Sequence, residues 1–211
     1  MSEPVIGKPG ETAPVILMLA AGESRRFGGI KQLADIDGEA MVHRAARTAI
    51  ATGATLILVT GAHAEKVGAA VFDLPLHLVH HAGWADGMGS TLAAGIRYVV
   101  DHHPRSSGAL LCLADQPLLE TAFYAGMLAR HAHKPDRILA TAQHGIVGPP
   151  VLFPQDCFAD LLRCSGDRGA HALLQRESAR VDLFASSDLV DVDSRDDLAR
   201  TQSQLAAKRL D

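Results

Sequence analysis

"VILMLAAGESRRFGGIKQL", Val15–Leu33, starts as a short unbroken apolar run. It then crowds three glycines (Gly22, Gly28, Gly29) and three cations (Arg25, Arg26, Lys31) into what would otherwise be an ordinary strand-to-helix turn. A brief apolar run without alternation reads as a strand buried on both faces. The pattern returns at TLILVT (55–60), LHLVH (76–80) and ALLCLA (109–114), and helix-period segments follow at 39–52, 63–71, 90–102 and 118–133. Strand and helix alternating in this way predict an α/β, doubly wound fold, with a mostly parallel sheet covered by helices on both faces.

Past residue 136 the rhythm changes. RILATAQH (137–144) and PPVLF (149–153) read as two strands joined through the turn GIVG, an insertion built over the sheet's edge. Helical stretches near 155–163 and 167–177, a last strand at 179–184 and a closing helix at 194–208 complete the chain, with Ser194 placed to cap that helix.

A chain of 211 residues suits one sizeable core. We expect a loose, proline-bearing tail over 1–14 and a single domain over 15–211. A formal charge of −4 predicts no global attraction to nucleic acid or to an anionic membrane, so an anion site has to be local. Cys112, Cys157 and Cys164 lack metal or disulfide spacing and suit a cytoplasmic setting with reduced thiols. No apolar run approaches the roughly 18 residues needed to span a bilayer, and the start lacks the pattern of a signal peptide. The pairs His80-His81, His102-His103 and His131 with His133 lack a correctly spaced third ligand and read as surface or helix-end residues.

In open parallel sheets ligands bind beyond the carboxyl ends of the strands. That selects four loops: Ala20–Gln32, Gly61–Glu65, His81–Ser90 and Ala114–Leu118. The first is neither a Walker loop, since Phe27 stands where its second glycine belongs, nor a G-x-G-x-x-G fingerprint, which Ser24 breaks. What remains is a glycine-rich loop whose backbone can approach a triphosphate while Arg26 and Lys31 bring charge. In the last loop Asp115 follows a buried strand. It can hold Mg²⁺, a hard ion satisfied by one or two carboxylates plus phosphate oxygens, or it can cap the next helix.

The whole string Leu19-Ala20-Ala21-Gly22-Glu23-Ser24-Arg25-Arg26-Phe27-Gly28-Gly29-Ile30-Lys31 resembles the nucleotide-binding loop of the MobA-like nucleotidyltransferases, with Arg26 and Lys31 as the matching cations. GWADGMGSTLAAGI (83–96) is similar to the family segment containing Trp84, Gly87 and Met88; His81 replaces an asparagine and Thr91 a serine. CLADQPLL (112–119) resembles the Asp-Gln-Pro motif. GIVGPPVLFP (145–154) and SGDRGAHALL (165–174) resemble the two acceptor elements, Pro149 replacing a common histidine and His171 a cation. VDVDSRDDLA (190–199) resembles the closing acidic motif.

The resemblance implies a Rossmann-like sheet of the nucleotidyltransferase type with a small β insertion, and transfer of a nucleoside monophosphate to a phosphorylated acceptor with release of pyrophosphate. It implies catalytic roles for Arg26, Lys31 and Asp115. Nucleotide contacts fall to Leu19, Ala20, Ala21, Gly22, Ser24, Gly28, Lys31, His81, Gly87, Ser90 and Thr91, and acceptor contacts to Gly148, Pro150, Gly166, Asp167 and Gly169. Mg²⁺ would sit on Asp115 and Asp193, with Asp191 the alternative second carboxylate. Leu-Ala-Ala-Gly resembles the cytidylyl branch, which implies CTP and the phosphorylated pterin of molybdenum cofactor, with a molybdenum-dependent oxidoreductase or its chaperone as recipient. Alternatives are a transferase using GTP or another NTP on a different phosphorylated acceptor, and a molybdenum cofactor-binding chaperone without turnover. A nicotinamide-dependent oxidoreductase is disfavoured, because Gly87-Met88-Gly89 copies only part of a dinucleotide fingerprint and Leu92 takes the third glycine's place.

Overall fold

A computed structural model describes residues 13–143, 145–167, 169–186 and 188–208, so residues 1–12 of the expected tail lie outside the described residues. In chain order the strands are β1 Val15–Ala20, β2 Asp35–Ile36, β3 Glu39–Ala40, β4 Leu56–Thr60, β5 His77–His80, β6 Gly108–Leu113, β7 Ile138–Gln143, β8 Ile146–Pro154 and β9 Val181–Leu183. The helices are α1 Met41–Ile50, α2 Ala64–Ala70, α3 Met88–His102, α4 Thr121–His133, α5 Phe158–Leu161, α6 His171–Arg176 and α7 Arg195–Lys208.

Among the described residues seven strands form one sheet in the order β5-β4-β1-β6-β8-β7-β9, and β2 and β3 pair separately. β1 pairs in parallel with β4 and β6, β4 with β5, and β7 with β9; β8 runs against both of its neighbours. All six residues of β1 are buried, and its alternating side chains feed both faces. Leu17 and Leu19 join Leu92, Ile96 and Val99 of α3 on one face, while Ile16 and Met18 join Val42 and Ala46 of α1 and Tyr124 and Met127 of α4 on the other. That is why the run shows no polar alternation. β5, at the edge of the sheet among the described residues, has His77, Leu78 and His80 exposed.

The hairpin of β7 and β8 is part of the main sheet: Leu110 of β6 pairs with Leu152 of β8, which pairs on its far side with Leu139 of β7. Nor is GIVG its turn, since Ile146, Val147 and Gly148 already pair with Gln143, Ala142 and Thr141. Gly145, with φ +80°, provides the reversal. α4 starts at Thr121, later than the apolar pattern suggests. Leu118 and Leu119 are buried in two different clusters ahead of it, where the chain makes a turn closed by the Leu119 N–H donating to the Gln116 carbonyl at 3.4 Å. Ser194 and Asp197 form the expected cap of α7: the Ser194 N–H donates to Asp197 Oδ2 at 2.8 Å and the Asp197 N–H to Ser194 Oγ at 3.2 Å.

On α1, Arg47 forks onto Glu39 at 2.8 and 2.9 Å. This charged hydrogen bond, opposed by burial and helped by His43, lowers the Glu39 carboxyl from 4.5 to about 2. A carboxyl depressed by folding stabilises the native state at pH values above its unfolded pKa and loses that contribution as pH falls toward the folded one. Denaturant titrations should therefore find Glu39→Gln less stable than the parent by up to about 1 kcal/mol at pH 6. The gap should close between 4.5 and about 2.

Candidate active site

The strand order reverses direction at β1, with β4 on one side and β6 on the other, so the loops leaving β1 and β6 open side by side. The Ala114 N–H donates to the Leu19 carbonyl at 3.1 Å. A crevice forms at such a switch point, and here it is a cleft of about 530 Å³. Three of the four loops selected from sequence line it; Gly61–Glu65 does not. That loop packs from behind instead: a Cβ on Gly61 would lie 2.5 Å from Trp84 Cβ and 2.7 Å from the Ala21 carbonyl oxygen.

Lys31 is the centre of the floor. Its Nζ donates to Asp115 Oδ2 at 2.6 Å and to Asp193 Oδ1 at 2.9 Å, and its side chain is only 14% exposed. Arg26 lies on the rim, 79% exposed, and donates to Asp193 Oδ2 at 2.9 Å. Burial opposes the charge on Lys31, but the Asp115 and Asp193 carboxylates outweigh it and raise its pKa. Burial likewise opposes the charge on Asp193, whose pKa Lys31 and Arg26 nevertheless bring down. Asp191 goes the other way: burial and the nearby charge of Asp115 raise it, and Gln116 Nε2 holds its Oδ1 at 2.9 Å. Asp193, and not Asp191, thus shares a cation with Asp115. The helix-cap role for Asp115 fails, because α4 begins after Glu120.

The opening loop is fixed at both ends. Phe27 is buried against Ile36, Met41, Val192 and Leu198, and the Arg195 guanidinium sits 4.3 Å from its ring centroid. Gln32, 4% exposed, accepts from Ser24 Oγ at 3.0 Å and donates to the Gly22 carbonyl at 2.8 Å. Gln32 is inconspicuous in the sequence, since a glutamine in a polar loop carries no sign of burial.

Across the cleft, Gly87 and Thr91 at the start of α3 line the wall with Trp84 and Met88. His81 and Ser90 do not line it; they meet each other, His81 Nε2 to Ser90 Oγ at 3.1 Å, and Ser90 Oγ donates to the Gly87 carbonyl at 2.9 Å. Asp167 lines the wall, while Gly166 braces it from outside, its carbonyl accepting the Gly89 N–H at 2.7 Å. Leu19, Ala20, Ala21, Gly22 and Ser24 belong to the lining; Gly28, Gly148, Pro150 and Gly169 lie outside it. Of these, Gly148 and Pro150 are in β8, where the intervening Pro149 carbonyl accepts from Gln116 Nε2 at 3.2 Å.

The donor set fits a hard divalent cation. Asp115 Oδ1 is buried with no hydrogen-bond partner among the described residues, an acceptor left over once Lys31 has taken Oδ2. Among the described residues no group of three or more His, Cys, Asp and Glu side chains is placed to hold a metal ion. An ion that completes its shell with phosphate oxygens and water needs only one or two carboxylates, and Asp115 and Asp193 are the two that meet at Lys31. Of the paired histidines, His102 stacks on Tyr98 with ring centroids 4.0 Å apart, and His103 meets His77 edge-on at 5.2 Å.

Residues 16–181 match the model of the MobA-like NTP transferase domain. Nicotine blue oxidoreductase of Paenarthrobacter nicotinovorans is 33% identical over 82% of this chain and 86% of its own. The purine catabolism protein PucB of Bacillus subtilis is 28% identical over 84% and 90%. Rv0371C of Mycobacterium tuberculosis, solved as a complex with manganese, superposes with a TM-score of 0.71 at 28% identity, covering 91% of this chain and 99% of its own. No helix among the described residues is long and apolar enough to cross a membrane. With its parallel sheet, its switch-point cleft and a family match across most of its length, the chain belongs to the MobA-like NTP transferase family and is a nucleotidyltransferase.

Proposed function

We propose that the protein transfers CMP from CTP to the phosphate monoester of molybdenum cofactor, a phosphorylated pterin, and releases pyrophosphate. One observation carries the reading: Lys31 joins Asp115 and Asp193 at the floor of the cleft while a second Asp115 oxygen stays buried and, among the described residues, unpaired. An acceptor phosphate oxygen attacks the α-phosphorus, and the bond from that phosphorus to the β-bridging oxygen breaks with its electrons leaving on pyrophosphate. The acceptor phosphate is already largely dianionic near neutrality, its second pKa being about 6, so no general base is needed. Positioning and charge neutralisation then make up the catalysis. Lys31 and Arg26 take up charge on the leaving pyrophosphate, and the loop from Leu19 to Ser24 holds the phosphates. Asp115 and Asp193 would hold Mg²⁺, which when bound would supply Lewis acidity toward the α-phosphate; the manganese complex of the mycobacterial relative supports a divalent ion.

The base preference rests on Ala21, which is buried in the wall. Its methyl, which stands against the Gly61 loop, is assigned the preference against a purine. Gly166, Asp167, Gly169, Gly148 and Pro150 are assigned to the acceptor side, and a molybdenum-dependent oxidoreductase or its chaperone to the recipient. The free thiols of Cys112, Cys157 and Cys164 support a cytoplasmic site of action. The test is Mg²⁺-dependent pyrophosphate release from CTP, GTP and ATP with and without molybdenum cofactor. Release with CTP that requires the cofactor is expected. Release with GTP instead moves the assignment to the guanylyl alternative, and nucleotide binding without release to a chaperone.

A second reading comes from the oxidoreductase name of the 33%-identical relative. The partial fingerprint Gly87-Met88-Gly89 opens α3, but Leu92 remains where its third glycine belongs. NADH or NADPH oxidation by the purified protein with dye acceptors decides for that reading, and its absence alongside pyrophosphate release decides against it.

A further inference from the structure

Resting on the nucleotidyl-transfer reading, we propose that Gln32 is the positioning residue of the triphosphate loop, and that Ser24 serves the nucleotide through Gln32 and not by donating to a phosphate. Gln32 follows Lys31 on the same one-turn 3₁₀ segment, Lys31–Leu33. Lys31 reaches forward to Asp115 and Asp193, and Gln32 reaches back to the opening loop. Its Nε2 donates to the Gly22 carbonyl at 2.8 Å and more weakly to that of Ala20 at 3.4 Å, while its Oε1 accepts from Ser24 Oγ at 3.0 Å. One amide therefore ties the last residue of β1, the loop glycine and Ser24 to the turn that carries the floor cation.

Ser24 sits at φ +64°, a left-handed conformation that a residue with a side chain adopts only when its surroundings hold it there. A hydroxyl has a single hydrogen, and that of Ser24 is spent on Gln32. A phosphate oxygen, itself an acceptor, gains nothing from the lone pairs that remain. The loop's shape is what the triphosphate meets, and Gln32 sets that shape before the nucleotide arrives. Misplacement of a positioning segment by about 1 Å can lower catalytic efficiency by about 100-fold.

Gln32→Leu keeps the volume and removes all of these bonds. In the full-length protein its affinity for Mg²⁺–CTP, measured by equilibrium titration, should fall about 10- to 100-fold, with KM for CTP rising in parallel. The kcat and the acceptor KM should stay within about threefold, whereas a loss of folded protein alone would lower kcat and leave KM for CTP unmoved. Ser24→Ala alone should weaken CTP about 10-fold, and adding it to Gln32→Leu should change little further, because two residues acting through one bond do not add. Gln32→Glu, which accepts from Ser24 but donates nothing to the carbonyls, should also lose affinity. Unchanged CTP affinity in folded Gln32→Leu or in Ser24→Ala, or losses that multiply in the double variant, overturns the proposal. If the unmodified protein binds none of CTP, GTP and ATP, the nucleotidyl-transfer reading falls first and this inference with it.

Discussion

Asp115→Asn should lower Mg²⁺-dependent pyrophosphate release by about 10³-fold while leaving the circular dichroism spectrum and unfolding midpoint close to those of the parent. The substitution is nearly isosteric, so the wall of the cleft keeps its shape. What changes is charge: Asp115 Oδ2 is held 2.6 Å from Lys31 Nζ, and Oδ1 is buried without a partner among the described residues. An amide there cannot neutralise a cation, and its NH₂ group, wherever it points, faces either Lys31 or the place where a metal ion would need an oxygen. Lys31 retains Asp193 at 2.9 Å, which keeps the turn in position and confines the damage to chemistry. Turnover above about a tenth of the parental rate would remove Asp115 from the catalytic set.

Gly61→Ala should act through shape alone. The added methyl would lie 2.5 Å from Trp84 Cβ, 2.7 Å from the Ala21 carbonyl oxygen and 2.8 Å from Ala21 Cβ. Two of these neighbours are first side-chain carbons and the third is backbone, so no flexible side-chain end can swing aside. The loop after β4 and the opening loop are also joined by the Ala62 N–H to the Ala21 carbonyl at 3.1 Å, a bond that separation would break. Overpacking of this kind costs about 1–3 kcal/mol, and the displacement falls on Ala21, the residue assigned to base preference. Thermal unfolding together with nucleotide titration checks both halves. A variant as stable as the parent, with parental affinity and the same choice between CTP and GTP, would show that Ala21 and Trp84 have room to yield.

The strands of the parallel half are legible because a strand buried on both faces leaves an uninterrupted apolar run, and β1, β4 and β6 each do so. The hairpin's place is not, because the pairing of Leu110 with Leu152 joins segments far apart in the chain and no local pattern names a partner. Lys31 and Asp115 stand out by type and by position beyond strand ends. That Asp193 and not Asp191 shares Lys31 depends on the path of the chain into α7, where Asp197 also accepts the Asp193 N–H at 3.2 Å. His81 and Ser90 sit in a motif and still turn toward each other, since spacing fixes where a residue stands and not where its side chain points.

Trp84, in the cleft wall with its Cβ against the loop behind Ala21, is the single tryptophan of the chain. Excitation at the red edge of protein absorbance therefore interrogates one wall of one cleft, with no second indole to dilute the signal. An occupant that alters the polarity around that ring would register as an emission shift or quench in unlabelled protein. Encounter with a nucleotide could then be timed apart from turnover by stopped flow, without a dye or a tag.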